Sequence, residues 1–156
     1  VVDVDPISRR LLQLLSADGR ASYQALADEV GLSRPAVMER VKRLEEGGHI
    51  LGYSARIDRA KAGFPITAFV NVRYPASDHD EAERAVRALE TNPSVLECHH
   101  VAGDDCFILK VAAPSLEALE RILRTLREPG LSASTRTTIV LSSVFEKAGV
   151  VPVEID

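Results

Sequence analysis

Residues Ala25–Gly52, ALADEVGLSRPAVMERVKRLEEGGHILG, decide how this chain is read. Gly31-Leu32 forms a tight turn between two short amphipathic runs, and Gly31 suits a left-handed backbone at a helix end. Ser33 caps the second run, and Pro35 fits its first turn because no amide is wasted there. At about 100° per residue, Val37, Val41 and Leu44 fall inward, leaving Pro35, Glu39, Lys42 and Glu46 on the opposite side. Ala36, Met38 and Arg43 flank that outer face, and Gly47-Gly48 ends the helix. Two helices in this relation let the second enter the major groove of a DNA duplex.

Working back from this stretch, Asp5-Pro6 reads as a helix start, with Ile7, Leu11, Leu14 and Leu15 as the inward stripe and a stop near Asp18-Gly19. Ser22 caps the next helix, whose Tyr23, Leu26, Ala27 and Val30 face inward. A recognition helix uses its first two turns for base edges, so Arg34, Pro35, Ala36, Met38 and Glu39 are the candidates for base reading. Ser33, Arg40, Lys42 and Arg43 suit phosphate contacts, which fix position without reading sequence. The same periodicity also suits a three-helix bundle whose outer face is only solvated.

Charge agrees with a local rather than a global nucleic-acid surface. The 156-residue chain carries a net charge of −4, yet residues 34–43 hold four cations against the single acid Glu39. Such a stripe tracks phosphates with modest, salt-sensitive affinity. Hydrophobic residues at 46% and charged residues at 27% allow a packed core, and no apolar run is long enough to span a membrane. With no leader pattern at its start and only Cys98 and Cys106, the chain reads as cytoplasmic.

Beyond the head the periodicity changes. Ile50–Ile57 reads as extended, and the Gly- and Pro-containing stretch Asp58–Pro65 as a hinge, giving a head over 1–50, a linker over 51–65 and a second domain over 66–156. Ile66–Tyr74 alternates as a strand with Ala68, Val70, Val72 and Tyr74 on one side. Asp80–Glu90 is helical, Val95–Ala102 and Asp105–Ala112 are strands, and Ser115 caps a helix with Leu116, Leu119, Ile122, Leu123 and Leu126 inward. Thr135–Phe145 completes the pattern as a strand. The order βαββαβ is a ferredoxin-like split βαβ arrangement, with both helices on one sheet face. The fold class is therefore α+β, a helix-turn-helix, winged-helix-like head joined to a ferredoxin-like domain. The run CFILKVA is apolar on both sides, so the second sheet face calls for a partner, most simply a second copy.

From Asp5-Pro6-Ile7 through GRASYQALADEVGLSRPAVMERVKRLEEGGHILGY and on over nearly the whole chain, the sequence resembles the Lrp/AsnC, or feast/famine, family of transcription regulators. The resemblance implies a homodimer that often assembles to a tetramer or octamer, double-stranded DNA as partner, and an amino acid or related small molecule as effector. It departs at Glu39, where family members often carry a polar or basic residue. In the family the loop after the second strand of this domain lines the effector site at the dimer interface. Val101, Ala102, Gly103 and Asp104 match its first part; Asp105 follows, and Cys106 stands near where many members place Asp. The implied partner wall is the start of the last strand, with Thr135 and Thr137. On residues alone Gly103-Asp104-Asp105 reads first as an ordinary hairpin turn, and the threonines as ordinary strand residues.

No metal-ligand spacing, nucleophile–base pair or phosphate-cradling loop is present, so no cofactor, metal or enzymatic activity is expected. An enzyme class with the same two-domain layout, the siroheme decarboxylases, uses histidines in the C-terminal half, and His99 and His100 keep that alternative open. An amino-acid-sensing module without DNA binding is the third reading.

Overall fold

The structure, a computed structural model, describes residues 4–74, 79–126, 134–147 and 149. The outermost ends of the two sequence-defined domains, residues 1–3 and 150–156, lie outside them. Contacts divide the chain into two compact units, Val1–Arg56 with Phe145–Asp156, and Ile57–Val144.

In the first unit, three capped helices close a small core. Helix α1 (Pro6–Ala17) starts where Asp5 accepts from the amides of Ile7 and Ser8. Helix α2 (Tyr23–Val30) starts at Ser22 and ends at Gly31, whose φ of 69° is the left-handed conformation that glycine adopts without a Cβ penalty. Helix α3 (Arg34–Glu46) starts at Ser33, whose hydroxyl accepts from the Ala36 amide, and ends at Gly47. Leu11, Leu26, Ala27, Val37, Val41 and Leu44 are buried together, one stripe from each helix. Tyr23 is more exposed than its expected inward position, and Ile7, Leu14 and Leu15 only border the core.

The second unit is a four-stranded antiparallel sheet in the order β2-β3-β1-β4, made by β1 (Ile66–Arg73), β2 (Val95–His100), β3 (Phe107–Ala113) and β4 (Ser134–Ile139). Helix α4 (His79–Arg87) continues as a 3-10 turn over Ala88–Thr91, and α5 (Leu116–Thr125) is capped by Ser115. Ala68, Val70 and Val72 of β1 and Leu109 and Val111 of β3 share a core with Ala82 and Val86 of α4 and Leu119 and Ile122 of α5. Both helices therefore cover one face, as the right-handed crossover rule requires.

Three expectations are corrected. The last strand ends at Ile139 rather than Phe145, and Leu141, Val144 and Phe145 are exposed. Strand β2 stops at His100 and β3 starts at Phe107, so the connecting loop is longer than a tight turn. Leu116 is 57% exposed: within the first turn of α5 the buried face is set by Ala118 and Leu119, and Leu116 lies on the solvent side of that face. Among the described residues no helix is long and apolar enough to cross a membrane.

Candidate nucleic-acid interface and effector loop

The face of α3 opposite Val37, Val41 and Leu44 presents Arg34, Pro35, Met38, Glu39, Lys42 and Arg43 to solvent. Ala36 and Arg40 are partly covered, and Ser33 stands exposed at the cap. Met38, 43% exposed, is an apolar tip beside the helix's leading turn and can pack on a thymine methyl or sugar edge.

The cations of this face differ in their commitments. Arg43 Nε donates to Glu39 Oε1 at 3.1 Å, and Lys42 Nζ lies 3.7 Å from Glu46 Oε1. Both are exposed i,i+4 pairs, worth a few tenths of a kcal/mol each, and readily exchanged for phosphate. Arg40 is held differently. Its Nη1 donates to Asp5 Oδ2 at 2.8 Å and to Ser8 Oγ at 3.2 Å, while Ser8 Oγ donates to Asp5 Oδ2 at 2.7 Å. The Ser8 hydroxyl foremost, with the Ser8 amide and Arg40, holds the Asp5 carboxyl below its ordinary value despite partial desolvation. Arg40 thus ties α3 to the start of α1, a role its sequence position among the phosphate candidates did not reveal. Arg34 makes no ion pair among the described residues. At the other end of α3, Tyr53 Oη donates to Glu45 Oε1 at 2.9 Å; desolvation first, then this bond, pushes the phenol up to about 12.

The loop Val101–Cys106 joins β2 to β3 at one end of the sheet. The Val101 amide donates to the Cys106 carbonyl, and the Cys106 amide to the Val72 carbonyl, both at 2.9 Å. Gly103 has φ 140°, a backbone side chains rarely adopt, yet a Cβ there would meet nothing within 4 Å. Glycine is therefore required in this chain by conformation rather than by crowding. Ala102, Gly103 and Asp104 are exposed.

Strand register separates the residues of the last strand. Thr135 pairs with Val72 and Thr137 with Val70, which puts both on the helix-covered face. Arg136 pairs with Asn71 on the opposite, open face. There Asp105 Oδ2 accepts from Asn71 Nδ2 at 2.6 Å and from Arg136 Nη2 at 3.0 Å. Asp105 is consequently committed to a clamp linking the loop, β1 and β4. Asn71 was missed in the sequence, and Arg136, within the implied wall Thr135-Arg136-Thr137, was given no role of its own, although the alternation already put it on a different face from the threonines.

The two histidines also part. His99 pairs with Ile108 on the open face, its Nε2 3.3 Å from Glu97 Oε2; His100 pairs with Phe107 on the helix side, their rings 5.1 Å apart. His100 lines a recess of about 460 Å³ between α4 and β2, together with Val86, Val95, Cys98 and Phe107; none of the residues of the 101–106 loop lines it, although His100 and Phe107 flank that loop. No group of three His, Cys, Asp or Glu residues able to hold a metal occurs among the described residues.

Comparison with known proteins matches both halves. Residues 4–45 fit the AsnC-type helix-turn-helix domain, and residues 67–150 the Lrp/AsnC ligand binding domain. The chain is 38% identical over 149 residues to the HTH-type transcriptional regulator LrpA of Mycobacterium tuberculosis, covering 96% of this chain and 97% of that one. It is 35% identical over 144 residues to the leucine-responsive regulatory protein of Escherichia coli K12, covering 91% and 87%. Among solved structures, the feast or famine regulatory protein from M. tuberculosis complexed with L-methionine superposes with a TM-score of 0.86 at 37% identity, over 96% of this chain and 99% of that one.

Proposed function

The chain belongs to the Lrp/AsnC family and is a DNA-binding transcription regulator, and from that premise we propose how it works: α3 docks in the major groove, and an amino acid bound to the second domain alters that docking. One observation carries the reading: α3 buries Val37, Val41 and Leu44 while presenting Arg34, Pro35, Met38 and Glu39 from its capped leading turns. Arg34, with Pro35, Ala36, Met38 and Glu39, reads base edges; Ser33, Lys42 and Arg43 contact phosphates. Arg40 positions the helix and reaches a phosphate only by leaving Asp5. By function we divide the chain into a head over residues 1–50, a linker over 51–65 and a dimerisation and effector domain over 66–156. By contacts, residues 51–56 and Phe145–Asp156 group with the head and residues 57–65 with the second unit.

The open sheet face, where Phe69 is 40% exposed opposite Lys110 and diagonal to Ile108, suits a second copy, and the dimer associates further. A solved relative carries L-methionine, which supports an amino-acid effector here. We place it against Val101–Cys106 of one subunit, with the start of β4 of another, an edge strand, supplying polar wall atoms. These come from its amides and from Thr135 and Thr137, whose side chains lean to the helix-covered side of that edge. Asp104 is the exposed carboxylate of that loop and suits an effector ammonium, since Asp105 is held by Asn71 and Arg136. The protein acts in the cytoplasm as a regulator rather than an enzyme.

Selection of genomic fragments by the purified full chain, repeated with each common amino acid, tests both halves. Recovery of defined fragments, altered by one or a few amino acids, is expected. Recovery of no fragment under any condition contradicts the reading.

A further inference from the structure

Glu39 is the one acid within the first two turns of α3, on the face that presents Arg34 and Met38. Its carboxylate accepts from Arg43 one turn later, and both side chains stand in solvent. A carboxylate carried toward a duplex meets a polyanion, so it must gain a donor or repel. In the major groove cytosine N4 offers an isolated amino donor, whereas the guanine edge presents only acceptors and adenine N6 sits beside the N7 acceptor. The Arg43 pair is weak enough to exchange, freeing Arg43 for phosphate as Glu39 turns to a base. Glu46 differs although it too pairs with a cation, because it lies at the far end of the helix, beyond the base-reading turns.

We propose that Glu39 is a specificity-determining residue of the recognition helix: it accepts from a cytosine amino group in the cognate site and repels duplexes that place no donor there. The inference rests on the docking of α3 proposed above. Selectivity then arises as much from rejection of wrong sequences as from attraction to the right one.

The test uses the full chain, a duplex recovered from a randomised pool, and a scrambled duplex of equal length and composition. Anisotropy titrations at one salt concentration give the ratio of the two affinities. Glu39→Gln and Glu39→Ala are expected to bind the scrambled duplex more tightly and to lower the ratio by roughly five- to a hundredfold, the scale of one base contact. Repeated selection with either variant is expected to lose a C·G preference at one position. Glu46→Gln is expected to raise affinity for both duplexes while keeping the ratio. An unchanged ratio and unchanged selected bases in both Glu39 variants would overturn the inference while leaving DNA binding intact. Wild-type protein that enriches no sequence from the pool would overturn it together with the docking reading.

Discussion

Nη1 of Arg40, in the middle of α3, lies 2.8 Å from Oδ2 of Asp5, the residue that caps α1. One carboxylate therefore performs two tasks. Oδ1 satisfies the orphan amides of Ile7 and Ser8, and Oδ2 receives Arg40 and the Ser8 hydroxyl. The partners are 35 residues apart, so this contact fixes how the base-reading helix is carried on the rest of the head.

Asp5→Ala is expected to destabilise the head by about 0.5–2 kcal/mol, the range of a lost cap. Arg40→Ala should cost less, under about 1 kcal/mol, because the pair is partly exposed and solvent-screened. Urea unfolding followed by helical circular dichroism measures both. Because these contacts hold the Asp5 carboxyl below its ordinary value of 3.8 in the folded state, its contribution is full above that value. It is lost as pH falls below 3.8 and through the folded value. Asp5→Asn should therefore flatten the acid limb of stability in that window and leave neutral pH behaviour closer to wild type than Asp5→Ala.

Ile108 and Leu109 are neighbours on β3 with opposite fates. Leu109 is fully buried under the helices, so Leu109→Ala should cost about 2–5 kcal/mol of stability. Ile108 sits on the open face, so Ile108→Glu should leave the fold intact and dissociate the dimer. Sedimentation velocity with circular dichroism distinguishes the two. A wild-type protein that sediments as a monomer would contradict the assembly.

At the effector loop, Gly103→Ala is expected to cost about 1–3 kcal/mol through backbone strain alone, since the new methyl meets no atom of its own chain. Asp105→Asn should weaken the tie to Arg136 and reduce amino-acid binding by loosening the loop. Cys106→Asp, which puts an acid where the family often has one in place of a thiol that donates to the Tyr74 carbonyl, should tighten binding of the amino acid's ammonium. Urea unfolding reads the first variant, and calorimetry with a panel of amino acids reads the other two. No heat from any amino acid with wild type or Cys106→Asp would contradict an amino-acid input.

Local signals were the legible ones. Asp5, Ser22, Ser33 and Ser115 each cap the helix their position announced, because capping is decided within three residues. Alternation in β1 gave the correct inward set, Ala68, Val70, Val72 and Tyr74. What escaped depends on distant partners. The apolar residues after Ile139 continue a strand-like pattern, but the paired register of β4 with β1 ends there. Arg40 looked like Lys42 and Arg43 until Asp5 was brought beside it. Arg136 lay between two threonines, and only its register with Asn71 set it against Asp105.

The central claim is that the leading turns of α3 read DNA, and its most direct measurement compares Arg34→Ala with Lys42→Ala and Arg43→Ala by anisotropy on the selected duplex and its scramble. Arg34→Ala is expected to lose roughly 1–3 kcal/mol on the selected duplex and little on the scramble, as a base contact does. Lys42→Ala and Arg43→Ala are expected to weaken both duplexes alike and to lower the salt slope by about one unit each, as phosphate contacts do. Selected-duplex affinity unchanged in all three variants would contradict the account.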